Sequence, residues 1–165
     1  TPAYARTLGR DPRWQNQAPF GAADTLSNDQ RQGDHGAFWR SIHGMLNHIL
    51  WGDQIWMSRF DGTPAPLAPN QPHSPHDLAT WDGLKQARFE FDQPIEAWSE
   101  RLTEDWLRAD LTWYSGGAGR DVTKPKWILV THFFNHQTHH RGQVHCLLTQ
   151  AGAKPADTDL FLRAV

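Results

Sequence analysis

Ten of the 165 residues are histidine, and half of these fall between His132 and His145. Neutral imidazole is the commonest metal ligand among side chains, so a stretch this rich in histidine points first to metal binding. His136 and His140 are four residues apart. On a helix that spacing sets two imidazoles one above the other on one face, within reach of a single ion. His132 continues the same spacing by one more turn. Three ligands spread over two turns of one straight helix converge poorly on a point, so the third ligand is sought on a facing helix.

With His136 as the origin of a helical wheel, Leu129, Phe133, His140 and Leu147 lie within about 60° on one side and His132 about 40° on the other. His145 falls on the opposite, solvent side and His139 on the flank. The segment from Asp34 to Phe60 gives a second stripe, Ile42, Met45, Ile49 and Trp56, with His48 at its edge and His43 turned outward. Helix bundles build metal sites from side chains on facing helices, which makes His48, His136 and His140 the expected ligands. His132, Trp51 and Gln143 are expected in the surrounding pocket or the outer shell. Three neutral imidazoles would leave a divalent ion its charge and an open position, the composition of a catalytic centre. Against this, a histidine on an apolar face is more often a satisfied core residue than a ligand. The inward histidine on a second helix is what shifts the balance.

Other chemistries have weaker support. No Ser-His-Asp arrangement, phosphate-binding loop or dinucleotide fingerprint is present. Asp53 falls on the flank opposite His48 and offers no obvious general base. Arg141 is expected in a surface or interface salt bridge and Cys146 as an inert buried thiol. Trp51, Trp56, Trp81, Trp98 and Trp127 are expected in packing, with those near His48 also walling an apolar pocket. Sixteen basic and eighteen acidic residues give a net charge of -2 without basic clusters, which argues against nucleic acid as a partner. No apolar run approaches the length of a membrane span. The opening TPAYARTLGR lacks the apolar stretch of a secretion signal, and a single cysteine forms no internal disulfide, so a reducing cytoplasm is expected.

The elements that must position these residues follow from breakers and apolar period. The length fits a single domain over residues 1–165. Asp11-Pro12 reads as the start of a first helix running to about Leu26, weakened by Pro19 and Gly21. A second helix is predicted over Asp34 to Phe60, and the five-proline stretch from Asp61 to Pro75 must be a loop. A third helix is predicted between His76 and Leu102, kinked at Pro94. Arg108 to Val122 reads as a loop with a small hairpin. Thr123 is the expected cap of a fourth helix ending near Gln150, with Gly152 beyond it. The C-terminal PADTDLFLRAV is expected to fold back over the helices, with Asp157 and Asp159 capping or pairing. The fold class is therefore all-α, an antiparallel four-helix bundle.

The segment HFFNHQTHHRGQVHCLLTQAG, His132 to Gly152, resembles the hallmark fourth helix of the DinB/YfiT-like family of metal-dependent enzymes. SIHGMLNHILWGDQIWMSRF, Ser41 to Phe60, resembles that family's second helix, and RWQNQ, Arg13 to Gln17, its first. The resemblance implies a bundle with an up-down-down-up course, usually a homodimer, holding one divalent ion on the residues matching His48, His136 and His140. Pro19 and Gly21 depart from the family's continuous first helix and imply a break there. Related bundles include transferases and isomerases that use small-molecule thiols. A divalent ion on three histidines lowers the pKa of a thiol and presents it to an electrophile, and it can equally activate water. The expected function is thus a thiol-dependent S-transferase acting on reactive small molecules. A metal-dependent hydrolase and a non-catalytic metal-binding stress protein are the alternatives. Zinc or nickel suits the ligand set best, and iron or manganese also fits.

Overall fold

A computed structural model describes residues 1–162, without the side chains of residues 11 and 12. The chain is mostly helical. In order come α1 (Pro2–Asp24), α2 (Asn28–Gln32), α3 (Ile42–Asp61), a 3-10 helix (Gln71–His76), α4 (Trp81–Glu100), α5 (Glu104–Arg108), strands β1 (Asp110–Ser115) and β2 (Arg120–Pro125), and α6 (Lys126–Gln150). Helix α1 packs on α4 and α6, and α3 packs on the same two. No helix among the described residues is long and apolar enough to cross a membrane.

Helix boundaries follow side-chain caps more closely than apolar period. The second predicted helix starts at Ile42 rather than Asp34, because the Ser41 hydroxyl accepts from the Gly44 amide at 2.9 Å. Asp34 instead holds a turn, accepting from the Gly36 amide and from Arg40 Nε, both at 2.9 Å. The third predicted helix likewise begins later, at Trp81, behind the cap Thr80. It runs without interruption through Pro94. Gly62 closes α3 with φ 71°, a left-handed conformation in which a side chain would be strained.

The expected break in the first helix is absent. Helix α1 starts at Pro2, not at Asp11, and continues past Pro19 and Gly21. The capping role expected of the Asp11 side chain lies outside the described residues. Packing accounts for the continuity: Phe20 and Ala23 are fully buried, and Phe20 stacks on Trp81 with ring centroids 5.2 Å apart. An interior proline costs about 3 kcal/mol and an interior glycine about 1, so continuity takes more than one buried phenylalanine at about 1.5–3 kcal/mol, and Ala22, Ala23 and Leu26 are buried beside Phe20.

The hairpin is real and longer than expected. Its strands pair antiparallel from Asp110 opposite Pro125 to Ser115 opposite Arg120. Thr123 is therefore a strand residue facing Thr112, with hydroxyls 2.7 Å apart, and not the cap of the last helix. Helix α6 begins after Pro125, its first amide bonded to the Ala109 carbonyl at 2.9 Å. The C-terminal segment touches α1 where Gln15 Nε2 donates to the Thr158 carbonyl at 3.4 Å. Asp157 and Asp159 are exposed.

Two apolar clusters form the core. One contains Phe20, Met45, Ile49, Leu84 and Leu148, the other Met57, Phe60, Ile95, Trp98 and Phe133. Along each long helix a buried polar group separates them. Arg88 bonds Asp53 at 2.6 Å and Asp92 at 2.7 Å. Asn16 donates to Asp92 and Gln137 to Asp53, each at 2.9 Å. Arg141 reaches Gln137 at 3.4 Å. Burial opposes the Arg88 charge, but the two carboxylates hold its guanidinium above its ordinary pKa. All four long helices contribute to this layer. It corrects one expectation, since Arg141 is buried within the network rather than on the surface, and it commits Asp53 to structure.

Candidate metal centre

The histidines adjoin this network, His136 and His140 being the sequence neighbours of Gln137 and Arg141. His48 comes from α3 and His136 and His140 from α6, and one ring nitrogen of each lies within 4.8 Å of the others. His48 Nε2 and His136 Nε2 are 3.1 Å apart. Two ligands at 2.0–2.1 Å from a tetrahedral ion would be separated by about 3.3 Å, so the spacing fits a shared ion. The sequence of α6 makes this possible because Gln137, between the two histidines, is fully buried against Asp53 of α3. That bond fixes the rotation of α6 and turns the histidine stripe toward α3.

The outer atoms of the rings are also committed. Ser74 donates its one hydroxyl hydrogen to the Gln71 carbonyl at 2.7 Å. Its oxygen is therefore the acceptor for His48 Nδ1–H at 2.8 Å, which leaves the His48 Nε2 lone pair facing the cluster. Gln143 does the same for His140, its Oε1 accepting from Nδ1 at 2.7 Å. Ser74 was not singled out from the sequence: it sits in the proline-rich connection, where no local pattern announces a partner for His48.

Gly52 is a second residue that the sequence does not reveal. A Cβ there would stand 2.7 Å from His136 Cε1 and 3.2 Å from its Nδ1. The ring fills the space that any other side chain would occupy. Gly52→Ala is accordingly expected to push His136 out of the cluster and to lower metal affinity at least about 10-fold, the scale of losing an outer-shell partner, while the fold stays intact. Calorimetric zinc titration with a far-ultraviolet spectrum checks both halves of that expectation.

Burial pushes the pKa of His48 and of His136 down to about 3, with His140 adding repulsion in each case. His140 is lowered by burial as well. All three are neutral near pH 7, the form that binds metal. In the unfolded chain such groups take up protons near 6.5. Between that value and the folded value the unfolded state holds more protons, so the metal-free protein loses stability as pH falls from about 6.5 toward 3. Thermal unfolding of metal-free protein across that range should show the midpoint falling, with a shallower fall in His48→Gln. A profile that stays flat would contradict the buried, neutral assignment.

A cleft of about 740 Å³ opens beside the cluster. His48, His136, Trp51, Gly52, Trp56 and His132 form one wall, and the turn of the hairpin with Trp113 forms another. Trp51 stacks on His48 at 5.9 Å and donates Nε1 to the Ala68 carbonyl at 2.9 Å. His132 lines the cleft too, its ring 5.9 Å from His136 and 5.4 Å from Trp56, outside the trio. Trp39 covers the other side of His48 at 4.6 Å. Among the described residues no aspartate or glutamate lines the cleft.

Four outlying expectations are corrected by the packing. His43 is buried, with Nε2 2.8 Å from the Leu78 carbonyl, because the segment preceding α4 covers what would otherwise be its solvent side. His145 is half-buried rather than fully in solvent. Trp127 is exposed at the start of α6, where nothing packs over it. Cys146 is exposed.

A sequence model of the DinB family matches residues 4–164, nearly the whole chain. Among curated proteins and solved structures none matches. The chain belongs to the DinB family.

Proposed function

We propose that this DinB family chain is a divalent-metal-dependent S-transferase that joins a small-molecule thiol to an electrophile. His48, His136 and His140 would hold the ion, zinc or nickel in preference to iron or manganese. The observation that carries the reading is the cleft: it adjoins the histidine cluster and, at about 740 Å³, has room for two reactants. When bound, the ion supplies a Lewis acid that lowers the pKa of a thiol. The chain's own residues do the rest. Ser74 and Gln143 orient two ligand rings, Trp51 and Trp56 exclude water from the apolar wall, and the network through Asp53 and Gln137 holds α3 and α6 in register. His132, which lines the cleft, is placed to accept the thiol proton there.

His132 also favours a second reading, hydrolysis, since an imidazole can serve water as readily as a thiol. The proposal carries with it a single domain, an up-down-down-up course for the four long helices, a homodimer and a reducing cytoplasm, the last supported by the unpaired Cys146 thiol. The deciding experiment is elemental analysis of protein purified without an affinity tag, followed by thiol-conjugation assays on generic electrophiles. One equivalent of metal and metal-dependent thiol consumption are expected. Metal-dependent ester cleavage without thiol consumption would establish hydrolysis instead, and bound metal with neither activity would leave a binding protein.

A further inference from the structure

Arg59 lines the same cleft, at its other end. It follows His48 by about three turns of α3, or about 16 Å along the axis. Helical side chains lean toward the N-terminus, and Arg59 does so, its guanidinium lying 4.7 Å over the ring of Trp56 and 5.9 Å from that of Trp113. The ring of His136 packs against Gly52, seven residues before Arg59 or about 10 Å along the axis. Arg10, Arg40, Arg88 and Arg101 each pair with a carboxylate, and among the described residues none pairs with Arg59. The group is therefore half-buried and flattened against two indoles, and among the described residues it has no counter-charge and the cleft no acid. Burial lowers its pKa, the mark of a cation whose solvation has been reduced without compensation.

We infer that Arg59, with Trp56 and Trp113, forms an anion subsite that binds the carboxylate of an extended substrate whose reacting end lies at the histidines. Stacking fixes the guanidinium plane and leaves its N–H edge free, and that edge matches a carboxylate bidentately. The indole faces add contact to the adjoining apolar part of the substrate. The subsite selects by both charge and length: a short thiol reaches the histidines without reaching Arg59. The inference deepens the transferase reading and rests on it for the reacting end alone.

The test compares ω-mercaptooctanoate with ω-mercaptooctanol, two probes of similar length differing in charge at one end, by calorimetry on zinc-loaded protein. The carboxylate is expected to bind about tenfold more tightly, from one charge-assisted pair. Arg59→Gln should erase that preference while leaving affinity for the alcohol unchanged, and Arg59→Lys should retain part of it. Equal affinity of the two probes in the wild type, or a preference that survives Arg59→Gln, would overturn the subsite. The same comparison on metal-free protein, read by tryptophan fluorescence, separates the two readings. A carboxylate preference that persists in protein unable to bind zinc would sink the metal reading and keep the subsite; zinc and thiol binding without preference would do the reverse.

Discussion

His136→Ala is expected to abolish stoichiometric metal binding. Loss of an outer-shell partner costs about 10–100-fold in affinity, and His136 is central to the cluster: its Nε2 is 3.1 Å from that of His48, and its ring lies 4.4 Å from His140. Its removal leaves two ligands from different helices, so a fall of at least about 100-fold is expected, whereas Ser74→Ala, which deletes only the acceptor for His48 Nδ1, should cost about tenfold. The variant is expected to fold, because an alanine at a partly buried helical position removes neither the Gln137–Asp53 bond nor either apolar cluster. Equilibrium dialysis against zinc, together with a thermal melt, distinguishes lost affinity from lost structure. Full metal occupancy in His136→Ala would remove the histidine from the ligand set.

Arg88→Met is expected to destabilise the protein by about 3–5 kcal/mol, the cost of breaking a buried pair and leaving its partner charges uncompensated. Arg88 is 1% exposed and bridges Asp53 and Asp92 from the middle of the core. Since a small domain is stable by only about 5–15 kcal/mol, such a loss is a large share of the whole. Replacing Arg88, Asp53 and Asp92 together by apolar residues of similar volume should recover most of it, because the desolvation of three charges disappears with the charges. Urea unfolding of the single and triple variants measures both effects. The network also sets the rotation of α6 through Gln137, so the triple variant should be stable yet poorer in metal affinity. If it bound zinc like the wild type, the network would have no positioning role.

Much of the candidate site was legible because it depends on short-range geometry. The interval from His136 to His140 is one helical turn whatever the helix packs against, and the apolar stripe of Ile42, Met45 and Ile49 fixes which way His48 faces. The buried layer was not legible: Asp53, Arg88 and Asp92 look like ordinary surface charges on their helices, and only their meeting makes burial tolerable. The same holds for His43, whose solvent side is closed by Leu78, a residue on another segment.

The amino-acid sequence by itself determined the existence of the four long helices, though not their bounds, the histidine trio and family membership, since each is written in local spacing and residue type. Tertiary structure alone decided that Ser74 from the proline-rich connection orients His48, that Gly52 makes room for His136, and that the hairpin brings Trp113 to Trp56 and Arg59. These contacts join segments distant in sequence, and their free energy comes from desolvation and packing that exist only once the helices are assembled.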